Sequence, residues 1–299
     1  MTVSIPDVTI GVLALQGAFS EHVQLLRAAA DSLPHVHWAF LEVRTPAELA
    51  RCDGLILPGG ESTTMALVAA RSGLLEPLRD FVKYPIPRTI WLLQSTLTLR
   101  RVRRKPTWGT CAGLILLAES ANRTKKGGQD LLGGLDVRVN RNHFGRQVES
   151  FQANLQLSFL GHTVDKSANE PYRCVFIRAP VVEKILPHKQ GIQTEEASRD
   201  ATVVAPSKSP TDDLAKEELE AEVEVMARLP IQTSALQENQ HHEHSGTEDI
   251  IAVRQGNVFG ISFHPELTAD PRIHVWWLQE VLKAVERRQQ FTISHRTLA

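Results

Sequence analysis

One cysteine held between glycines constrains the fold of this 299-residue chain more than any other feature. Cys111 lies within positions 107–113, which read TWGTCAG, and the apolar run LILLAE follows at 114–119. A β-prone segment, a sharp turn and a helix-compatible run form the pattern of a nucleophile elbow. Glycines suit such a turn because it often needs φ values that other residues resist. A helix that begins at the cysteine points its N–H groups at the sulfur and stabilises negative charge there.

A cysteine nucleophile needs a base, and the base needs an orienting group. Positions 259–267, FGISFHPEL, are predicted as a short buried strand that ends in His264 and Glu266. Because residues two apart in an extended segment point to the same side, these two side chains are expected to lie together. A carboxylate beside an imidazole fixes its tautomer and stabilises its protonated form. A lone His-x-Glu is a weak signal, and the alternative for Cys111 is a buried packing residue. The two motifs together favour catalysis.

Composition excludes several classes of protein. The formal net charge is −1, which gives no general electrostatic case for binding nucleic acid or a membrane. Three cysteines do not suggest a disulfide framework, so a reducing compartment is expected, with Cys52 and Cys174 as packing residues. The apolar run at 10–15 is too short for a signal or transmembrane segment and is typical of a first strand. A cytoplasmic protein is expected.

The first half of the chain alternates strands and helices. Helices are predicted at 21–30, capped by Ser20, and at 46–51 and 63–72, and the strands between them are predicted at 9–15, 36–43 and 53–58. This alternation indicates an α/β fold, an open and mainly parallel sheet with helices on both faces. Ligands bind at the carboxyl ends of strands in such folds, where the Gly59-Gly60 loop and Cys111 both fall.

The second half is less regular. Strands are predicted at 135–139, 151–157 and 174–178, then a hairpin of 249–254 with 258–263, and a closing helix at 271–288 whose apolar face carries Val275, Leu278, Val281, Leu282 and Val285. The polar stretches 188–219 and 239–248 are expected to be disordered or loosely helical surface loops. A solvated tract is preferred to a metal site for the histidines at 241–244.

Taken in order, these motifs resemble the class I, triad-type glutamine amidotransferases, and more closely the glutaminase subunits of pyridoxal 5′-phosphate synthase. The segments PGGESTT and RNHFGRQ narrow the resemblance to the second group. The matching segments are IGVLALQGA at 10–18, GLILPGGESTT at 54–64, GTCAGL at 109–114, RNHFGRQ at 141–147, FIRAP at 176–180 and SFHPELT at 262–268.

The resemblance implies one flavodoxin-like domain over residues 1–299, an open three-layer sandwich that hydrolyses L-glutamine to glutamate and ammonia without a cofactor or metal. Cys111 would attack the amide, His264 would move the proton, and Glu266 would orient His264. The N–H of Ala112 and one from the glycine loop would bind the oxyanion. The substrate-binding residues implied are Gly59, Gly60, Glu61, Ala112, Arg141, Ile177 and Arg178. Without the resemblance, the glycine pair is only a turn and the arginines are only surface charges.

A partner is also implied, because free ammonia is protonated and lost in water. Family members dock on a (β/α)₈-barrel synthase subunit and pass ammonia to it internally. A competing interpretation is a glutaminase for another synthase, such as imidazole glycerol phosphate synthase. A related cysteine hydrolase and a catalytically disabled binding subunit also stay open at this point, although a disabled subunit needs none of Cys111, His264 and Glu266.

One segment departs from the resemblance. About twenty residues at 84–103 stand where the family passes almost directly from a helix into the strand before the elbow. They contain an apolar run, Ile90 to Leu93, and most of a basic cluster at 100–104. An exposed apolar run is a liability for aggregation and could compete for the strand position. A retained intron or a gene-model error is one interpretation of its abrupt boundaries, and sequencing the mature transcript tests it.

Overall fold

The computed structural model describes residues 6–83, 105–122, 129–141, 150–162, 170–188, 191–207, 221–230 and 248–297. The strands are β1 Asp7–Leu13, β2 His37–Val43, β3 Gly54–Leu57, β4 Thr107–Thr110, β5 Ala118–Asn122, β6 Leu135–Asn140, β7 Ser150–Leu155, β8 Tyr172–Ile177, β9 Val181–Ile185, β10 Thr202–Val204, β11 Glu224–Leu229, β12 Asp249–Gln255 and β13 Val258–Ile261. The helices are α1 Phe19–Ala30, α2 Pro46–Ala50, α3 Ser62–Arg71, α4 Leu75–Lys83, α5 Ala112–Leu117, α6 Ile192–Ala197 and α7 Arg272–Thr297. Short 3-10 turns lie at Ser158–His162 and Pro265–Leu267.

A large central sheet organises the described part of the chain. Its order is β10-β5-β6-β9-β12-β13-β4-β3-β1-β2, with β11 paired to β12, and β7 pairs with β8 in a separate ribbon. The run from β13 to β2 is parallel throughout. The remainder is mixed, since β9 and β12 run antiparallel to their neighbours. The predicted α/β class with a mainly parallel central region is confirmed.

Helices cover both faces of this sheet and create two cores. On one face, α1 and α7 pack with β1, β4 and β13 around Trp108, Trp277 and Phe259. On the other, α2 to α5 pack around Leu55, Leu57 and neighbouring apolar side chains. Each core buries several large side chains, and such burial stabilises a fold by about 1.5–3 kcal/mol per side chain. The three layers therefore follow from β-strands that are apolar on both sides.

Local sequence explains where several helices begin. Thr45 accepts a hydrogen bond from the N–H of Glu48, whose carboxylate accepts one in return from Thr45, so a capping box starts α2. The Glu61 carboxylate caps α3 by accepting from the N–H groups of Thr63 and Thr64. The predicted cap of α1 is wrong, because Ser20 lies inside the helix. The N-cap residue is Ala18, and no side chain makes a capping hydrogen bond there.

Other elements differ from the sequence-based interpretation. The helix after Cys111 ends at Leu117, and strand β5 begins at once, although the sequence suggested an unbroken helical run. Within 188–219, where a loop was expected, α6 and β10 are ordered and β10 pairs with β5. The buried Glu196 carboxylate fixes α6 by accepting from Arg138 at 3.0 Å. The stretch 239–248, apart from Glu248, lies outside the described residues, as does the histidine cluster.

The closing helix is present, and Leu278, Val281 and Val285 of its predicted apolar face are buried. Val275 and Leu282 are only partly buried, and the helix also buries Ile273, His274 and Trp277. No helix in the described ranges is long and apolar enough to cross a membrane.

Residues 84–103 lie outside the described residues, but the elements on either side of them lie close together. The ammonium group of Lys105 is 5.1 Å from the ring centroid of Phe81, near the end of α4. Lys83 is buried, and its ammonium donates to the carbonyl of Pro206 and lies 3.4 Å from Glu119. Strand β4 is paired on both edges, with β3 and with β13. The end of α4 and the start of β4 therefore lie at neighbouring points of the fold.

Deleting residues 84–103 should leave a folded protein. The flanking elements would keep their partners. Because a shorter connection has a smaller entropic cost of bringing its ends together, the free energy of unfolding should stay level or rise by at most about 2 kcal/mol. Urea unfolding followed by near-UV circular dichroism, beside the full chain, measures this. Loss of a cooperative transition would show that the segment is part of the fold.

Candidate active site

Cys111 occupies a strained turn between β4 and α5. Its backbone has φ 47° and ψ −99°, a conformation that costs a residue other than glycine about 1–3 kcal/mol. Its N–H donates to the carbonyl of Ile261 at 2.8 Å, and its carbonyl accepts from the N–H of Ile115 at 3.2 Å. The strand, turn and helix of the predicted elbow are all present. Surrounding structure holds the strain, as at many functional sites.

Two glycines allow the helix to approach the sheet closely enough for this turn. A Cβ at Gly113 would lie 2.1 Å from the carbonyl oxygen of Leu57, and a Cβ at Gly109 would lie 2.4 Å from the backbone of Gly113. Neither distance is possible for real atoms, so any larger residue would push α5 away from β3 and β4. Because Ala112 is the first residue of α5, its N–H has no partner within the helix.

His264 and Glu266 follow β13 and lie beside the cysteine. The Nδ1 atom of His264 is 2.8 Å from Oε1 of Glu266, and both side chains are buried. The backbone N–H of His264 donates to the carbonyl of Val175 at 2.8 Å, which fixes the start of the 3-10 turn. The carboxylate is an acceptor, so Nδ1 carries the proton and Nε2 is the atom left for chemistry.

The environment of His264 favours its charged form. Burial alone would lower its pKa, but contacts with Cys111 and Glu266 outweigh burial and raise the pKa of His264 to about 10. An imidazole that carries a proton beside a cysteine can balance a thiolate and later donate that proton to a leaving group. The three residues therefore have the geometry of a nucleophile, an acid–base and an orienting carboxylate.

The glycine loop after β3 lies directly against His264. A Cβ at Gly59 would lie 2.3 Å from Cε1 of His264, and one at Gly60 would lie 2.4 Å from the amide oxygen of Gln16. That amide oxygen accepts from the N–H of Glu61 at 2.8 Å, and the carbonyl of Gly59 accepts from Ala18 at 3.0 Å. The loop is thus held by the segment after β1, which the sequence reasoning did not assign to the site.

Glu61 and Arg141 form a second group beside the loop. The guanidinium of Arg141 is buried and donates to the hydroxyls of Ser62 at 2.9 Å and Thr63 at 3.1 Å. Its Nη2 lies 4.0 Å from the carboxylate of Glu61, and burial lowers the pKa of Arg141. Burial would raise the pKa of Glu61, but hydrogen bonds from Thr64 and Thr63 lower it. A paired carboxylate and guanidinium here suit a zwitterionic ligand.

Ile177 and Arg178 lie at the end of β8. The carbonyl of Ile177 is 3.9 Å from the Cys111 sulfur, and the Ile177 side chain is 37% exposed. Arg178 is exposed and has φ 46°, an unusual conformation outside glycine. The structure therefore places the carbonyl of Ile177 next to the Cys111 sulfur.

Sequence reasoning missed two buried histidines behind the candidate triad. His22 on α1 lies 3.4 Å from Glu266 Oε2, and His274 on α7 lies 3.0 Å from His22. Both are fully buried. Helical spacing is the sequence signal that could have found them. His22 lies on the same face of α1 as the buried Leu26 and Ala29, and His274 lies on the buried face of α7.

Comparisons with known proteins identify a family for this chain. The SNO glutamine amidotransferase family matches residues 12–211 and 206–283. The chain belongs to this family. One relative, the probable pyridoxal 5′-phosphate synthase subunit PDX2 of Arabidopsis thaliana, is 37% identical over 93% of this chain and 88% of its own length. The pyridoxal 5′-phosphate synthase subunit PdxT of Methanosarcina acetivorans is 35% identical over 91% of this chain and 98% of its own.

A solved structure agrees with these relatives. A crystal structure of a glutamine amidotransferase matches with a TM-score of 0.55 and 31% identity, covering 91% of this chain and 98% of the other. Fold and sequence therefore identify the same family.

Gly59→Ala should abolish most of the activity without unfolding the protein. The added methyl group would displace the His264 ring, and a misplacement of about 1 Å costs roughly a hundredfold in rate. Release of glutamate from glutamine measures the loss. Gly161→Ala is the matched control, because its Cβ meets nothing within 4 Å. Equal activity in both variants would contradict the close approach of the loop.

Proposed function

We propose that this chain is a glutaminase that hydrolyses L-glutamine and supplies ammonia for pyridoxal 5′-phosphate synthesis. The observation that carries the proposal is the buried contact of Cys111, His264 and Glu266 at a strained elbow. Membership of the SNO glutamine amidotransferase family supports the glutaminase reaction. The names of the Arabidopsis and Methanosarcina relatives support vitamin B6 synthesis as its purpose.

The reaction begins with attack by the cysteine. The Cys111 thiolate bonds to the side-chain amide carbon of glutamine while His264 carries the proton. His264 then donates that proton to the amide nitrogen, ammonia leaves, and a thioester remains. Water, deprotonated by His264, attacks the thioester carbon and releases glutamate, which restores the thiolate and the imidazolium. Throughout, Glu266 holds Nδ1 of His264 and stabilises the charge on the ring.

Backbone donors would stabilise the tetrahedral oxyanion. The N–H of Ala112 is one donor, because it begins α5 without an intrahelical partner. The second is an N–H of Gly59 or Gly60, whose loop lies against His264. Donors placed where charge develops typically contribute about 2.7–4 kcal/mol each to the rate.

The substrate's own charges would select its orientation. Glu61 carries a negative charge beside the loop and suits the α-ammonium of glutamine, whereas Arg141 and Arg178 suit the α-carboxylate. Arg141 already has a fixed position through Ser62 and Thr63. The carbonyl of Ile177 borders the nucleophile and closes that side of the site.

A synthase subunit would receive the ammonia. The relatives are named as subunits of a synthase, and we propose a (β/α)₈-barrel synthase subunit as the partner of this chain. Apolar side chains of Ile177 and Leu267, 37% and 44% exposed, border the site and suit a protein contact. All three cysteines are free, in keeping with a reducing compartment, and we place the complex in the cytoplasm.

Competing functions have less support. The relatives' names favour pyridoxal 5′-phosphate synthase over imidazole glycerol phosphate synthase as the destination of the ammonia. A disabled binding subunit would not need the contact among Cys111, His264 and Glu266.

Cys111→Ala should remove glutaminase activity while leaving the fold and partner binding intact. The loss should be roughly a thousandfold or more, since no other group supplies the nucleophile. Glutamate release, measured with and without the synthase subunit, tests this. Activity retained in the variant would exclude Cys111 as the nucleophile. A wild-type chain that binds the partner but releases no glutamate would favour the disabled subunit.

Glu266→Gln should shift the alkaline limb of kcat/KM to lower pH. In the wild type, contacts with Cys111 and Glu266 keep His264 protonated up to about pH 10 against the effect of burial. Removing a neighbouring negative charge disfavours the imidazolium, so its pKa falls and the proton is lost earlier. A pH–rate profile of both proteins measures the limb, which reports the free enzyme. An unchanged limb would contradict the role of Glu266.

A further inference from the structure

Three buried groups from separate elements converge behind Glu266. The Nε2 atom of His22 lies 3.4 Å from Oε2 of Glu266 and 3.2 Å from the hydroxyl of Thr110. The other ring nitrogen of His22 lies 3.0 Å from Nε2 of His274. His22, Thr110 and His274 are all fully buried. Helices α1 and α7 therefore meet the candidate triad from the face opposite α5.

The carboxylate of Glu266 is held on one side and contacted on the other. Oε1 accepts a hydrogen bond from Nδ1–H of His264 at 2.8 Å. Among the described residues, Oε2 accepts no hydrogen bond, although Nε2 of His22 lies 3.4 Å from it. A buried carboxylate oxygen without a donor is costly, and Nε2 of His22 is a ring nitrogen that can supply one.

Burial keeps both outer histidines neutral. Desolvation, with smaller contributions from the neighbouring His274 and His264, lowers the pKa of His22 well below its usual value. Desolvation lowers the pKa of His274 to about 3. A neutral imidazole carries one N–H, so each ring adopts one of two tautomers.

The negative charge of Glu266 determines the tautomer of His22. If Nε2 of His22 were unprotonated, its lone pair would face Oε2 and repel it. With the proton on Nε2, His22 donates toward Glu266 and shares the proton with the hydroxyl of Thr110. Nδ1 of His22 then accepts a hydrogen bond from Nε2–H of His274. The remaining nitrogen, Nδ1 of His274, is unprotonated and has no hydrogen bond among the described residues, so no N–H is left unpaired there.

We propose that His22 is a positioning residue that holds Glu266 through an Nε2–H donor, with His274 fixing the tautomer of His22. This inference rests on the proposed glutaminase function. The hydrogen bond at Oε1 and the His22 contact at Oε2 together limit rotation of the carboxylate, so Oε1 stays on His264. The charged and titratable groups that face His264 are Cys111 from the elbow, Glu266 from its own turn and His22 from α1.

The first test removes the donor and then restores it. In the full chain bound to its synthase subunit, His22→Leu removes the N–H, whereas His22→Gln keeps an amide donor near the position of Nε2. Val23→Ala is the control, a buried change on the same helix within the apolar core. Thermal unfolding of each variant checks that it is folded.

We expect His22→Leu to lower kcat about tenfold or more with KM changed less than about twofold, because positioning acts on the chemical step. The alkaline limb of kcat/KM should move to lower pH, since Glu266 would hold His264 less firmly. His22→Gln should recover most of both losses, and Val23→Ala should show neither. A His22→Leu enzyme with the kcat and pH limb of Val23→Ala would overturn the proposal.

The second test needs no activity. Nitrogen-15 NMR of histidine-labelled wild type at pH 7, with His22 assigned from the signal missing in His22→Gln, reads its tautomer directly. We expect a neutral ring with the proton on Nε2, and a proton on Nδ1 or a charged ring would overturn the proposal. If His22→Leu fails to fold, the proposal is tested by this spectrum and by the kinetics of His22→Gln. A wild-type complex that releases no glutamate contradicts the proposed function, while the tautomer still tests the contact.

Discussion

The close packing of α5 on the sheet is the constraint on which the rest of the site depends. Gly109 and Gly113 let the helix backbone approach the carbonyl of Leu57, and this approach forces the turn at Cys111 into positive φ. The sulfur then lies beside His264, at the parallel edge where β13 also ends. This backbone contact therefore helps to fix Cys111 at the end of β4, beside the residues that follow the paired strand β13.

Much of the fold and the candidate site follows from local sequence. The apolar runs at β1 and β3 have the composition of strands buried on both faces, and they form the parallel region. The hairpin of β12 and β13 follows from its Gln-Gly-Asn turn. His264 and Glu266 could be paired by their two-residue spacing, although the structure places them at a 3-10 turn after the strand.

The remaining features depend on contacts between distant parts of the chain. Nothing local ends α5 at Leu117; the following residues leave the helix because β5 pairs with β6 and β10. Polar composition alone predicted a loop around 188–219, but the buried pair of Arg138 and Glu196 orders part of it. His22 and His274 are separated by 252 positions, so only the folded chain shows that they meet.

The buried histidine pair also has a consequence for the fold as a whole. An unfolded histidine takes up a proton below about pH 6.5, whereas His22 and His274 in the native chain resist protonation because burial lowers their pKa values. Acidification below that point therefore favours the unfolded chain, which binds protons that the native chain excludes. Burial of His22 and His274 behind the candidate active site therefore lowers the free energy of unfolding as the pH falls below about 6.5.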